Sequence, residues 1–187
     1  MPTPSKTEHL WFSQTIEAVF VKGLEGKLTP SLKAEFKKIG LDLDRKLDPA
    51  YPVTVVRKAC QALMPVLYPS MSEEEAFHEL GLSSMRGWSE TLLGKALMQV
   101  LKLIGVRRSL LRMHTTMRSG NNYIETSAVV VSGNCIELIF SDVSGMPTFY
   151  QGIIEEGARM AYAKNLRVSA GAGSTPPGHT FRVEWDE

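Results

Sequence analysis

The segment from Tyr123 to Trp185 constrains the fold more than any other. Ile124, Thr126, Ala128 and Val130 alternate with Glu125, Ser127 and Val129, a Ser132-Gly133-Asn134 turn follows, and Ile136, Leu138 and Phe140 then alternate with Glu137, Ile139 and Ser141. A period of two in β-branched and apolar residues describes a hairpin with one face in the core. Gly145 and Pro147 break the pattern, and Thr148 can serve as the N-cap of a helix that turns Phe149, Ile153, Ile154, Ala158, Met160 and Ala161 to one side. Gly152 and Gly157 interrupt that helix. Each costs a helix about 1 kcal/mol relative to alanine, so they predict places where the helix backbone lies close against the sheet. A second hairpin pairs Leu166, Val168 and Ala170 with Phe181, Val183 and Trp185 across Gly171 to Gly178, a loop too rich in Gly and Pro to be regular. The expected order is β-β-α-β-β, an antiparallel sheet with a helix on its apolar face, within an α+β fold whose N-terminal half is helical.

That first half reads as follows. Trp11 to Leu24 mixes strand formers with helical spacing and predicts a short buried strand running into a short helix. Thr29-Pro30 starts a helix carrying Leu32, Phe36 and Ile39, and Gly40 ends it. Val53 to Leu67 is helical by pattern and stops before Tyr68-Pro69. Ser72 and Glu75 form a capping box for the next helix. The longest pattern, Trp88 to Ile104, is apolar over more than half its circumference and is expected to be the central core helix. Gly105 ends it, a helix from Val106 to Met117 follows, and Ser119-Gly120-Asn121-Asn122 turns the chain into the sheet. A chain of 187 residues with 43% hydrophobic content buries roughly 70% of its unfolded surface. One domain over 1–187 is expected, with about 10–118 mainly helical and 119–187 forming the sheet part.

The charge balance, 21 basic against 20 acidic residues, gives no global argument for nucleic-acid or anionic-membrane binding. No run reaches the roughly 18 apolar residues that a membrane span needs, and Met1 to His9 has no apolar leader region, so a cytoplasmic protein is expected. Cys60 and Cys135 fall in apolar segments and read as core residues without a disulfide. Phosphate-loop, Gly-x-Ser-x-Gly and His-Glu-x-x-His motifs are absent, which points away from an enzyme. Asp42, Asp44 and Asp48 have calcium-loop spacing, but Leu47 and Val53 stand where such a loop needs Gly and Glu; a solvated loop is expected. His9, His78, His114 and His179 are dispersed, so neither a metal nor a cofactor is expected. His78 reads as exposed or half-exposed and His179 as solvated.

Two features near the middle stand out. His114 shares a helix with Leu110, Leu111, Met113 and Met117 just below the sheet, where an imidazole could ligate haem iron. From Thr91 to Ile124 there are six basic residues and no acidic one, with Arg108 and Arg112 as helical neighbours able to hold an anionic ligand or an acidic partner surface.

Several segments together resemble a sequence-defined paralogous family of roughly this length, expanded in the myxobacteria: LDLDRKLDPAYP from Leu41, VLYP from Val66, ELGL from Glu79, TLLGKAL from Thr91, GNNYIE from Gly120, GMPTFYQGIIEEG from Gly145 and the terminal FRVEW. More distantly, Gly-x-Ile-x-x-Gly in a helix between hairpins is similar to the haem-nitric-oxide-binding fold and to the related four-vinyl-reductase-type and transport-particle subunit domains. These resemblances imply helices packed on an antiparallel sheet, with a ligand cavity or a dimer face between them. The haem branch uses a proximal histidine on the helix before the sheet, which His114 alone is placed to match, and a Tyr-x-Ser-x-Arg motif for the propionates, where this chain has Tyr123-Ile-Glu-Thr-Ser. The vinyl-reductase branch often carries terminal cysteines for metal; none is present here.

The expected function is therefore a non-catalytic, signalling-related module that binds a small apolar ligand or a partner protein between its helical and sheet halves. Arg108, Leu111, Arg112, His114, Met117, Asn121, Asn122 and Tyr123 are the expected binding residues, and a homodimer is allowed. The alternative expectation is a haem-based gas sensor with His114 as the iron ligand.

Overall fold

The computed structural model describes residues 8–186. Strand β1 (Leu10–Phe12) runs directly into α1 (Ser13–Ile16), which widens into a π-helical stretch over Glu17–Lys22. Ile16, Val19 and Phe20 are buried there, as the mixed strand and helix signals of this segment implied. Helix α2 (Pro30–Lys38) begins as expected, with the Thr29 hydroxyl accepting from the Leu32 amide at 3.2 Å and proline at the first position. Strand β2 (Ala50–Pro52) pairs antiparallel with β1, setting Tyr51 opposite Trp11. The acidic loop before it is tied up in surface ion pairs, with Asp42 on Lys37, Asp44 on Lys33 and Asp48 on Arg45.

Helix α3 (Val53–Leu67) buries Val56, Cys60 and Leu63, and burial pushes the Cys60 thiol up to about 12. Cys135 is also buried and free. Helix α4 (Glu73–Glu90) opens on the full reciprocal capping box of Ser72 and Glu75, whose hydrogen bonds hold the Glu75 carboxyl below its ordinary range. Ser72→Ala is expected to cost about 1 kcal/mol, read as a fall of roughly 2–4 °C in the melting temperature. An unchanged melt would mean that this pair does not hold the helix start.

The expected central helix is instead two elements. Trp88 belongs to α4, and the Thr91 hydroxyl, accepting from the Gly94 amide at 3.0 Å, starts α5 (Leu92–Leu111) afresh. α5 is not central. Only Gly94, Met98, Val106 and Leu110 of it are buried, and Leu92 and Leu103 are 91% and 87% exposed. Gly105, at φ 75° and ψ 175°, interrupts the helix where a glycine break was expected. The helix expected from Val106 to Met117 is divided again at Arg112, after which α6 (Met113–Gly120) leads into the sheet. Among the described residues no helix is long and apolar enough to cross a membrane.

The sheet comprises β3 (Thr126–Ser132), β4 (Cys135–Phe140), β5 (Lys164–Ala170) and β6 (His179–Asp186), antiparallel throughout in the order β3-β4-β6-β5. Its register sets Ile136 opposite Val183 and Leu138 opposite Phe181, all buried, so the alternating residues form the core face. Helix α7 (Pro147–Met160) lies between the hairpins, as the period change indicated. Its N-cap is Met146 rather than Thr148, because Pro147 already occupies the first helical position. The helix glycines also answer to a different neighbour than expected. A side chain at Gly152 would meet the backbone of α4 at His78 and Leu82, and Gly157 faces the Met85 side chain, so these glycines admit α4 rather than the sheet. α7 reaches the sheet through Tyr150, packed on Phe140, and Gln151, which donates to the Val168 carbonyl. His179 is half-buried beside Phe181, with its pKa lowered by burial, and so only partly solvated. His78 is half-buried and faces Glu155 at 3.3 Å.

Candidate ligand cleft

Where α4, α6 and α7 meet the start of the chain, the core is incompletely filled. A cavity of about 80 Å³ lies among Trp11, Thr15, Met85, Trp88, Met117, Asn121 and Ile153. A second, of about 40 Å³, continues past Met85, Trp88, Met117 and Ile153 to Leu101, Leu110 and Met113. The two share those four residues and Thr116, and form one cleft. Among the described residues no Asp, Glu, Lys, Arg or His lines either part.

Its walls are fixed by specific bonds. The Trp11 indole N–H donates to the Tyr123 hydroxyl at 3.0 Å, and the Trp11 ring stacks on Phe149. The Tyr123 and Tyr150 hydroxyls lie 3.3 Å apart. Burial raises the pKa of Tyr123 and lifts that of Tyr150 well above the ordinary phenol value, so both stay neutral donors. Thr15 of α1 donates to the Gly120 carbonyl at 2.8 Å, holding α1 against α6 across the cleft.

Helix α6 turns Met113, Thr116 and Met117 toward the cleft, residues at i, i+3 and i+4 that share one face. His114 must then point elsewhere. It is exposed, with Nε2 3.1 Å from the Thr115 hydroxyl. Arg108, Leu111 and Arg112 are exposed too and do not line the cleft. Of the expected binding residues, Met117 and Asn121 line it, and Tyr123 stands behind Trp11. Asn121 is already committed: its Oδ1 accepts from the amides of Tyr123 and Ile124, at 3.1 and 2.7 Å, and its Nδ2 donates to the Met117 carbonyl. Asn122 pins β1, accepting from the Leu10 amide at 2.8 Å and donating to the Glu8 carbonyl at 2.9 Å.

The residues that sequence reasoning missed are Trp11, Met85, Trp88 and Ile153. Their signal was the run of small residues in α4. A side chain at Gly81 would meet the Phe149 backbone and one at Gly87 the backbone of Ala18 and Gly23, so α4 is pressed against both neighbours. Met85 and Trp88 are thereby delivered to the seam.

The profile of a family described as "Protein of unknown function (DUF2378)" matches residues 9–186. The chain belongs to the DUF2378 family. No curated protein matches this DUF2378 chain. Among solved structures it is similar to H-NOX domains. One, described as giving structural insights into the molecular mechanism of H-NOX activation, is 17% identical with a TM-score of 0.70, over 95% of this chain and 97% of that one. An oxygen-binding H-NOX domain related to soluble guanylate cyclases is 18% identical with a TM-score of 0.69, over 93% and 95%. An H-NOX protein from S. oneidensis in the Fe(II)NO ligation state is 13% identical with a TM-score of 0.70, over 93% and 99%. The DUF2378 chain thus has the H-NOX fold, an α+β fold with an antiparallel sheet.

That fold raises the question of haem, and the residues present do not fit one. Neither cavity offers an imidazole or thiolate to iron, and neither has a cation to neutralise a propionate. The positions that depart from Tyr-x-Ser-x-Arg, Glu125 and Ser127, are both exposed. Cavities of about 80 and 40 Å³ are also far below the roughly 300–1,000 Å³ of a pocket for a ligand of drug size.

Proposed function

We propose that this DUF2378 protein is a non-catalytic, signalling-related module that responds to a small uncharged apolar molecule, held not between the helices and the four-stranded sheet, as expected, but in the cleft among α4, α6, α7 and β1. One observation carries the reading: among the described residues the Tyr150 phenol is the only titratable group on the cleft wall, while Met, Trp, Ile and Leu side chains and uncharged polar groups such as Gln14, Thr15, Ser84 and Thr116 supply the rest. An ionised ligand would lose its hydration without gaining a counter-charge, which is prohibitive in an apolar site. A neutral ring or short chain loses nothing of the kind. Methionines 85, 113 and 117 provide an unbranched, polarisable lining that re-shapes around a guest. The H-NOX fold, whose solved members include gas-liganded forms, supports the assignment to ligand sensing. The same likeness supports a second reading, a haem-based sensor; the lining of the cleft argues against it.

Fluorine NMR separates these readings with a matched pair of probes. Fluorobenzene is expected to broaden on addition of the protein, 4-fluorobenzoate is not, and Met117→Glu is expected to remove the effect. Fluorobenzene unaffected by the wild-type protein would overturn the neutral-ligand reading. A one-to-one haem complex with a Soret band after reconstitution would establish the second reading in its place.

A further inference from the structure

We propose that the outer face of α5 before its break at Gly105, with the exposed arginines beyond that break, docks this protein onto an anionic lipid surface. Helical geometry divides α5 sharply. Gly94 and Met98 turn to the protein and are buried, and Leu101 turns to the cleft. Leu92, Leu93, Val100 and Leu103 turn outward, 91%, 54%, 41% and 87% exposed. At about 100° per residue these four fall within one arc of roughly 100°. Contiguous exposed apolar faces of this kind mark a surface that is covered by something.

Charge identifies the cover. From Thr91 to Ile124 the chain has six cations and no anion, which leaves the rest of a chain of net charge +1 acidic. Lys95 is paired with Glu90, and Lys102 lies 6.0 Å from the centre of the exposed Tyr162 ring. Arg107, Arg108, Arg112 and Arg118 form no ion pair among the described residues and are exposed. Leu111, three residues from Arg108 and four from Arg107, carries the apolar character into the arginine cluster. A second copy does not suit this face. An isologous pair would gather the free arginines of both copies at one interface, with no carboxylate on the face to answer them. The groove beside α5, among Lys95, Met98, Gln99 and Lys102, does not take in these leucines, which project from the outside of a single helix and offer a protein partner no concave seat. Leucines on one arc, basic residues beside them and a tyrosine at the rim are the composition of a helix lying in the plane of an anionic membrane interface. A lipid surface conforms to a convex helix, and its phosphates answer the arginines. This face is on the side of α5 away from the cleft, so docking is separate from any ligand held there.

Co-sedimentation of the full chain with vesicles tests this directly, using phosphatidylcholine alone and phosphatidylcholine containing roughly one-third phosphatidylglycerol. Sedimentation is expected only with the anionic vesicles, and it should fall as salt is raised. Leu92→Glu with Leu103→Glu, and separately Arg107→Glu with Arg108→Glu, are each expected to weaken partitioning by about tenfold or more. Because all four positions are exposed, the circular dichroism spectrum of both variants should match the wild type. No sedimentation with anionic vesicles, or equal sedimentation of the variants, would overturn the proposal. So would a wild-type dimer that Leu92→Glu with Leu103→Glu makes monomeric without vesicle binding, which would assign the face to a second copy. Capture of polyglutamate in place of vesicles would assign it to an acidic protein.

Discussion

In thermal denaturation, Gly81→Val is expected to lower the melting temperature by about 10 °C or more. Gly81 and Gly152 face each other across the α4–α7 contact. A side chain at Gly81 would overlap the Phe149 carbonyl oxygen, and one at Gly152 the His78 carbonyl oxygen. In each case the obstacle is the backbone of the opposing helix and not the end of a flexible side chain, so no rotamer change relieves it. Overpacking a core commonly costs about 1–3 kcal/mol when side chains can adjust. Here whole helices must separate, and the expected cost is about 3 kcal/mol or more, at about 2–4 °C per kcal/mol for a chain of this size. Gly152→Val should behave alike. Gly26→Ala is the control: its φ of +74° is strained for alanine, yet nothing lies within 4 Å of the added carbon. It should lose only about 1–2 kcal/mol. A Gly81→Val protein that melts with the wild type would mean that α4 and α7 do not meet as described.

Phe181→Ala is expected to cost about 3–5 kcal/mol in urea-induced unfolding. Phe181 is 1% exposed at the middle of β6, with its ring 5.1 Å from that of Phe140 in an edge-to-face pair. It sits opposite Leu138, so its removal opens a void at the centre of the sheet's core face. Trp185→Ala should follow closely. Trp185 is 6% exposed, and its backbone is bonded to Asn134 at the turn of the first hairpin; alanine keeps those bonds, so the cost comes from the void left by the indole. Against a typical total stability of about 5–15 kcal/mol, either change removes a large share. Trp185→Ala with an unaltered midpoint would place that strand's apolar face away from the core.

The sheet was legible in the sequence because strand periodicity carries its own orientation: alternate residues must face opposite ways. Ile136, Leu138 and Phe140 could therefore be assigned to the core by counting. Helix periodicity carries less. It shows that α5 has an apolar arc, but not that the protein uses a neighbouring arc, through Gly94 and Met98, as its packing seam. His114 was misplaced for a related reason. The helix breaks at Arg112, φ −96° and ψ 3°, which resets the helical phase, so counting from Leu110 cannot find the inward face of α6. The cleft itself leaves little local trace beyond the small residues of α4. Trp11, Met85, Met117 and Ile153 come from four elements far apart in the chain, and each alone reads as an ordinary core residue. What the sequence did show was the turn at Asn121 and Asn122, although their side chains prove to be fasteners rather than ligands.

Those fasteners determine when the molecule can become itself. The bonds from Leu10 to Asn122 and from Trp11 to Tyr123 each join residues 112 positions apart. Closing a loop of that length costs about 4 kcal/mol of chain entropy, and contacts of such separation slow folding. During synthesis β1 can pair with β2, but the Trp11 indole N–H has no Tyr123 hydroxyl to meet until Tyr123 has left the ribosome. The wall of the cleft that is translated first is thus held by residues made more than a hundred positions later, up to Phe149 against Trp11.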